Sequence, residues 1–481
     1  MTSQRIHFPL LAFAALCVLL PAAPTLRAQQ DAAPPSAQGG DQSSTPPDTG
    51  AQTTPGPVGG VEAYRFPGPT LGHSFVVPRF SLQEVYDTNS GYATTPGASQ
   101  ASSVTALMGG LSLQWVKRNS TLSLDYSSEG LLYNPQIVSN GVVQQLGVTE
   151  KIAVRRWNLF FGENFSYLPN SAFGLGGLGY LGGGTTGLPG TGGVTSFNPS
   201  QVPTQTIVAL NVSQFSSASM FQAQYLINGS SSVNGSVVVG FLHFFGEGLL
   251  NSRDVNARFG YDKSLTARDT LSFSYLATIL DYPSPSGIPG FSSHYIQAGY
   301  RRILTGRLHV SVSAGPVISH FAPMTGQTTV PGGANLVGLS AGSTLDYLFR
   351  HGSMSASYNH GVGGGSGYFI GSTVDQFTGG FQHNITRVWS GNLTSGYARN
   401  GAIQQTTSLG VNPSAAFDYW YVGGTLSRPL GHYASLSFNY YASRQTTNTT
   451  VCANMLACGP IALTQVVGMT FNWSTRPYKL E

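Results

Sequence analysis

The chain has 481 residues, 9% of them charged and 11% aromatic, with 61 glycines and a formal net charge of +4. Soluble domains carry roughly 25% charged residues, so this composition disfavours an ordinary soluble coat, and so small a basic excess implies no nucleic-acid partner. Few charges with many Gly, Ser and Thr suit a wall that turns one face to lipid and one to water.

Residues 1–28 have the layout of a secretory signal. Arg5 gives a basic start, Phe8 to Leu20 is apolar apart from Pro9, and Ala28 supplies a small residue ahead of Gln29. A lipoprotein reading centred on Cys17 is poorly served by Ala15-Leu16 before it and by the apolar run after it. With Cys17 removed, Cys452 and Cys458 remain, and two cysteines this close in one loop most simply form a local disulfide. A metal site there lacks nearby histidines.

Residues 29–73 open with Pro, Gln, Ser, Thr and Gly and almost no large apolar side chain. Such a segment cannot bury enough surface to offset its ordering entropy, so a disordered periplasmic tail is expected. A tail that touches peptidoglycan or enters the barrel is the alternative. It holds no plug-sized patterned domain, which weighs against an energised transporter.

From residue 74 to the end the dominant period is two. Leu463, Val467, Met469, Phe471 and Trp473 share one face while Thr464, Gly468, Thr470, Asn472 and Ser474 share the other. Paired runs of this kind are joined by short turns, usually carrying arginine, as in LSLQWVKRNSTLSLDY (111–126) and YVGGTLSRPLGHYASLSFNYY (421–441). Short turns are expected near 118, 156, 216, 267, 305, 350, 387 and 429, interleaved with longer Gly, Ser and Pro-rich stretches. That asymmetry belongs to outer-membrane barrels, whose short turns are periplasmic and long loops external. Trp115, Trp157, Trp389 and Trp473 all fall near the short turns or the closing strand's end, as one interfacial belt would.

The expected fold is therefore all-β: a closed, antiparallel, up-and-down transmembrane β-barrel over 74–481. Spans beginning near 74, 103, 120, 144, 157, 204, 219, 251, 269, 292, 306, 335, 352, 371, 388, 414, 431 and 461 make about eighteen strands. Sixteen is the alternative, because QFSSASM offers no arginine turn between 204 and 229. Eighteen strands about 4.8 Å apart and tilted about 40° give a backbone diameter of roughly 35 Å, more than side chains fill.

Several residues are candidates within that wall. The third outer loop, about 169–203, could narrow the pore through Phe173, Leu175, Tyr180 and Leu188; the alternative is a flexible Gly-rich surface loop. The third loop of porins folds inward, and this one has the same ordinal position. Alternation places Arg79, Asp125, Lys151, Arg155, Asp254, Arg258, Asp262 and Arg301 on the lumen side, either as a weakly selective path or as cross-strand pairs. Arg118, Arg156, Arg268, Arg307, Arg350, Arg387 and Arg428 are turn residues that either anchor anionic headgroups or are simply solvated. VVVGFLHFFGEGLLN (237–251) is more apolar than an exposed loop should be; a barrel extension, an inward latch and a contact surface remain open.

Catalysis finds little support. GLSAG (338–342) spells Gly-x-Ser-x-Gly but lies in an expected strand, whereas the nucleophile elbow needs a strand, a sharp turn and a helix. Ser292 and Ser293 beside His294 keep a wall-mounted hydrolase open as a minor alternative. No cofactor and no metal is expected, and the chain reads as a non-enzyme.

The stretch PRFSLQEVYDTNSGY (78–92) resembles the opening strand of a family of β-barrel porins of Gram-negative bacteria, some of them associated with exopolysaccharide systems. Ser81, Leu82, Glu84, Tyr86, Asp87 and Asn89 carry the likeness, while Thr88 stands where an acid is expected. VVGMTFNWSTRP also resembles a barrel assembly signal, except that eight residues follow Trp473. The resemblance implies an outer-membrane location, with passive diffusion of small hydrophilic solutes as the leading function and an occluded, polysaccharide-associated barrel as the alternative. Expected partners are outer-membrane lipids, lipopolysaccharide and the barrel assembly machinery; a homo-oligomer and a polysaccharide partner stay open.

Overall fold

The computed structural model describes residues 74–91, 93, 98–169, 212–246, 249–283, 290–321, 334–363, 369, 371–403, 416–431, 433–447 and 461–480. Its strands are β1 (Phe75–Asp87), β2 (Ser102–Val116), β3 (Ser120–Asn134), β4 (Gly141–Val154), β5 (Trp157–Leu168), β6 (Gln214–Asn228), β7 (Ser231–Phe244), β8 (Ser252–Ser264), β9 (Asp269–Asp281) and β10 (Phe291–Thr305). They continue with β11 (Leu308–Phe321), β12 (Ala334–Phe349), β13 (Gly352–Gly363), β14 (Ser372–Asn384), β15 (Ser390–Ala402), β16 (Ala416–Pro429), β17 (Ala434–Thr447), β18 (Ile461–Ser474) and the short β19 (Tyr478–Lys479). No helix occurs among the described residues.

Each long strand pairs antiparallel with the next, and β18 returns to β1 with Arg79 opposite Ser474 and Asp87 opposite Val466. The sheet closes on itself as an eighteen-stranded barrel, with no free edge between its first and last long strands. Tyr478 and Lys479, in the extension beyond Trp473, add two rungs against Val76 and Phe75.

Alternation sets the two faces. On β1, Phe80, Leu82, Glu84 and Tyr86 are exposed while Ser81, Gln83, Val85 and Asp87 are buried. Phe259, Ile296, Leu339 and Val467 are likewise exposed large apolar side chains on the outward face. A wall that presents such groups outward and hydroxyls and amides inward is stable with lipid around it and a polar interior.

Four of the eight short turns are held by side-chain oxygens. Thr266 Oγ1 accepts the backbone N–H groups of Arg268 and Asp269, both at 3.0 Å. Thr305 does the same for Arg307 and Leu308, and Thr386 for Val388 and Trp389. The sixth and seventh strands correct the expected boundaries: the turn lies at Gly229–Ser230, not near 216, and β6 starts at Gln214. There Asn228 Oδ1 accepts from the Ser230 N–H at 2.9 Å and from its hydroxyl at 3.1 Å. Residues 237–244 consequently belong to β7, which explains their apolar character: Val237 and Val239 face outward.

Candidate functional site

The inward face carries the polar chemistry, and it is zoned. Near the long-connection end, opposite the short turns, it is mostly apolar, with Asp87 and Asp254 also buried on the same face. Val85, Val104, Leu131, Tyr133, Val143, Tyr419, Tyr441 and Val466 form one buried cluster, and Leu276, Leu280, Phe291, Tyr295, Val317 and Phe321 contribute to a second. Tyr419 and Tyr441 join hydroxyls at 2.5 Å, and the Phe291 and Phe321 rings stack at 5.0 Å. Toward the short turns the same face becomes hydroxyl, amide and charged.

One charged group lies across β1 to β4. The Arg79 guanidinium donates to Asp125 Oδ1 at 3.2 Å, reaching over the intervening β2. Gly110 sits opposite Arg79; a Cβ there would come within 2.9 Å of the Tyr126 carbonyl oxygen and lie 3.7 Å from Arg79 Nε, an ordinary contact. Ser112 donates its hydroxyl to the same Asp125 oxygen. Lys151 lies on the inward face of β4, opposite Thr121 and Phe160.

A second group spans β7 to β12. Asp262 accepts from Asn234 Nδ2 at 2.6 Å and interacts electrostatically with Arg258 and Arg301. Asp346 interacts with His309 and again with Arg301, so Arg301 is shared between two acids. Higher on β8, Asp254 Oδ2 accepts from Asn256, and Gly240 lies so close that a Cβ would meet the carboxylate.

Of the residues expected in the lumen, Arg79, Asp125, Lys151, Asp254, Arg258, Asp262 and Arg301 fall on inward faces. Arg155 does not: it occupies the two-residue β4–β5 turn with φ at 53°, because the hairpin reverses one position earlier than the alternation implies. His309, Asp346 and the buried Glu129 join the inward face although sequence reasoning did not select them; strand parity within their hairpins was the available signal. Phe173, Leu175, Tyr180, Leu188, Cys452 and Cys458 lie outside the described residues.

The residues of the hydrolase-like spellings lie within strands β10 and β12. Ser340 is mid-strand in β12 with its hydroxyl given to the Gly315 carbonyl at 3.0 Å. His294 faces outward to the Tyr275 hydroxyl at 2.7 Å, while Ser293 faces inward to Ser319. Ser293 and His294 thus point to opposite sides of the wall, whereas Ser292 shares the outward face with His294.

Outward, three of the four expected belt tryptophans, Trp115, Trp157 and Trp473, are exposed near the short-turn edge, and Lys117 and Arg428 sit over the rings of Trp115 and Trp389. One outward acid is unexpected. Glu163 on β5 is held by the hydroxyls of Ser217, at 3.2 Å, and Ser219.

A closed antiparallel barrel with an apolar exterior, an interfacial tryptophan edge and a polar, charged interior defines an outer-membrane β-barrel of a Gram-negative bacterium. That class rests on the chain's own geometry. No protein-family model matches the chain, and no curated protein matches it. Among solved structures it is similar to Pseudomonas aeruginosa OccK2 (OpdF), with 10% identity and a TM-score of 0.42 over 84% of this chain and 99% of that one. It is also similar to Acinetobacter baumannii OccAB3, with 10% identity and a TM-score of 0.42 over 84% and 100%. The Neisseria meningitidis FrpB iron transporter has 8% identity and a TM-score of 0.44 over 86% and 83%.

Proposed function

We propose that the chain is a porin-like channel for passive diffusion of small hydrophilic solutes. The observation that carries this reading is the closure of eighteen strands around polar inward faces. A wall of that girth, roughly 35 Å across, is wider than its own side chains can span. Arg258, Asp262, Arg301 and Asp346 place both signs of charge in the wall, which supports weak ion selectivity. Phe173, Leu175, Tyr180 and Leu188 narrow the path by bulk, since the loop that holds them is uncharged from 169 to 203. Residues 1–28 direct export, 29–73 form a periplasmic tail, Cys452 and Cys458 pair locally, and the barrel assembly machinery inserts the chain.

A second reading, an occluded barrel acting through surface or polysaccharide contacts, draws on the two apolar clusters at the long-connection end. Planar-bilayer recording separates the two. The channel gives steady ohmic steps that grow when residues 174–193 are deleted; silence from protein that runs as folded on unheated gels favours the occluded barrel.

A further inference from the structure

The outward face is zoned as well, most clearly on β13 to β17. At the short-turn rim it carries His383 and Arg428, with Arg428 over the Trp389 ring. Above that rim come Phe381, Leu393, Leu426, Phe438 and Tyr440, all exposed, and no outward position of these strands is charged. The charge returns on a single rung, where His360, Asp375, Arg399 and Asp418 stand opposite one another on four consecutive strands. The outward rung just beneath it reads Tyr358, Phe377, Tyr397, Trp420 and Arg444. Arg399 stands ten positions along the chain from Trp389, a rise of about 25 Å at about 3.3 Å a residue and a tilt of about 40°. That is the height of the apolar band of an outer-membrane barrel, so the aromatic rung and the charged rung above it mark the outer boundary of the membrane.

The acids of the charged rung are engaged within the wall. Asp375 Oδ1 accepts from the Tyr358 hydroxyl at 2.9 Å and meets His360 Nδ1 at 2.7 Å, and Asp418 Oδ1 accepts from the Tyr397 hydroxyl at 2.6 Å. The arginines are less occupied. Arg399 Nε lies 4.0 Å from Asp418, and 55% of the Arg399 side chain is exposed. Arg444 is exposed opposite Trp420 and makes no hydrogen bond or ion pair among the described residues. Two strands and one rung separate the two arginines, about 12 Å between their backbone positions. A guanidinium matches a phosphate through two parallel N–H groups, and it is more weakly hydrated than an ammonium, which suits a site at the edge of an apolar layer.

We infer that the outward face of β15 to β17 is a docking surface for the phosphorylated glycolipid of the outer leaflet. Arg399 and Arg444 each hold a phosphate, and the exposed rings of Tyr397 and Trp420 lie against the junction of its sugars and acyl chains. Position selects the occupant: this rim is the one from which the long connections leave, and the lipid on that side is a glycolipid with phosphates on its sugar backbone. Charge selects the mode of contact. Asp375 and Asp418 balance Arg399 and Arg444, so the surface offers two placed guanidiniums and no diffuse attraction to every anionic lipid. The docking surface stands whether or not the lumen conducts.

The test titrates lipid A, a disaccharide glycolipid with a phosphate at each end, into the full chain folded in a non-ionic detergent, and counts the bound lipid by native mass spectrometry. Saturable binding is expected, with dioleoylphosphatidylglycerol at least about tenfold weaker. The double variant Arg399→Gln, Arg444→Gln is expected to weaken lipid A at least about tenfold, while Arg428→Gln, on the opposite rim, leaves it unchanged. No saturable binding, a double variant that binds like the parent, an equal loss in Arg428→Gln, or phosphatidylglycerol held as tightly as lipid A each overturns the docking surface. Heat-dependent gel migration checks that every variant is folded. If the double variant does not fold, Arg444→Gln alone decides: a loss of at least about threefold supports the surface, and unchanged binding overturns it.

Discussion

At the scale of residues, the wall depends on small side chains that let larger ones cross. Arg79 reaches Asp125 across the bare Gly110, and Arg79 and Asp125 are both largely withdrawn from water, at 20% and 19% side-chain exposure. Arg79→Ala leaves Asp125 with Ser112 alone and should cost about 1–3 kcal/mol in reversible urea unfolding from lipid vesicles. An unchanged midpoint would show that the pair contributes nothing. Glu163 makes the opposite case, an acid on the lipid side kept by two serine hydroxyls. Ser219→Ala removes one donor and should destabilise by about 1–3 kcal/mol, whereas Glu163→Leu should be neutral or stabilising. If Glu163→Leu is the more damaging of the two, the carboxylate is not facing lipid. The inward side of Arg79 and Asp125 was legible in the sequence because alternation is a local backbone property. The serine cradle of Glu163 was not, since it depends on the β5–β6 register across a 45-residue connection (169–213).

At the scale of elements, the hairpin is set by its turn oxygens. Thr266 takes two backbone donors and gives its own proton to Asp269 at 2.6 Å, while Arg268 projects into solvent. Thr266→Val should therefore cost about 1 kcal/mol and Arg268→Ala less than about 0.5 kcal/mol, read from the same unfolding midpoints. A larger loss for the arginine would return it to the structural role its recurrence suggested. This also explains which boundaries could be read in advance. Seven of the eight short turns fall where arginine marked them, and in three of these a threonine oxygen takes the turn's backbone donors. Asn228-Gly229, which uses an asparagine oxygen and no arginine, was passed over, and with it the ends of β6 and β7. Gly396 works at the same scale: Gly396→Ala must push Tyr421 off its seat and should cost about 1–3 kcal/mol.

At the scale of the whole barrel, the strand number, the closing pair and the outward apolar face followed from the repeated pattern, because each hairpin declares itself locally. The zoning of the interior did not. Alternation tells which side of the wall a charge faces, but which inward charges meet one another depends on the register between neighbouring strands. The apolar lining near the long connections is invisible to a rule that assigns apolar residues outward. Val104 and Tyr295 are 0% and 1% exposed on the inward side, so the wall itself contributes to narrowing at that end. The central claim, a water-filled path open to small neutral solutes, is tested most directly by the swelling of proteoliposomes in graded sugars. The expected result is swelling that is fastest with arabinose, slows steeply through disaccharides and trisaccharides, and scales with the amount of heat-modifiable, folded protein. No swelling in arabinose with fully folded protein would contradict the channel and leave an occluded barrel in its place.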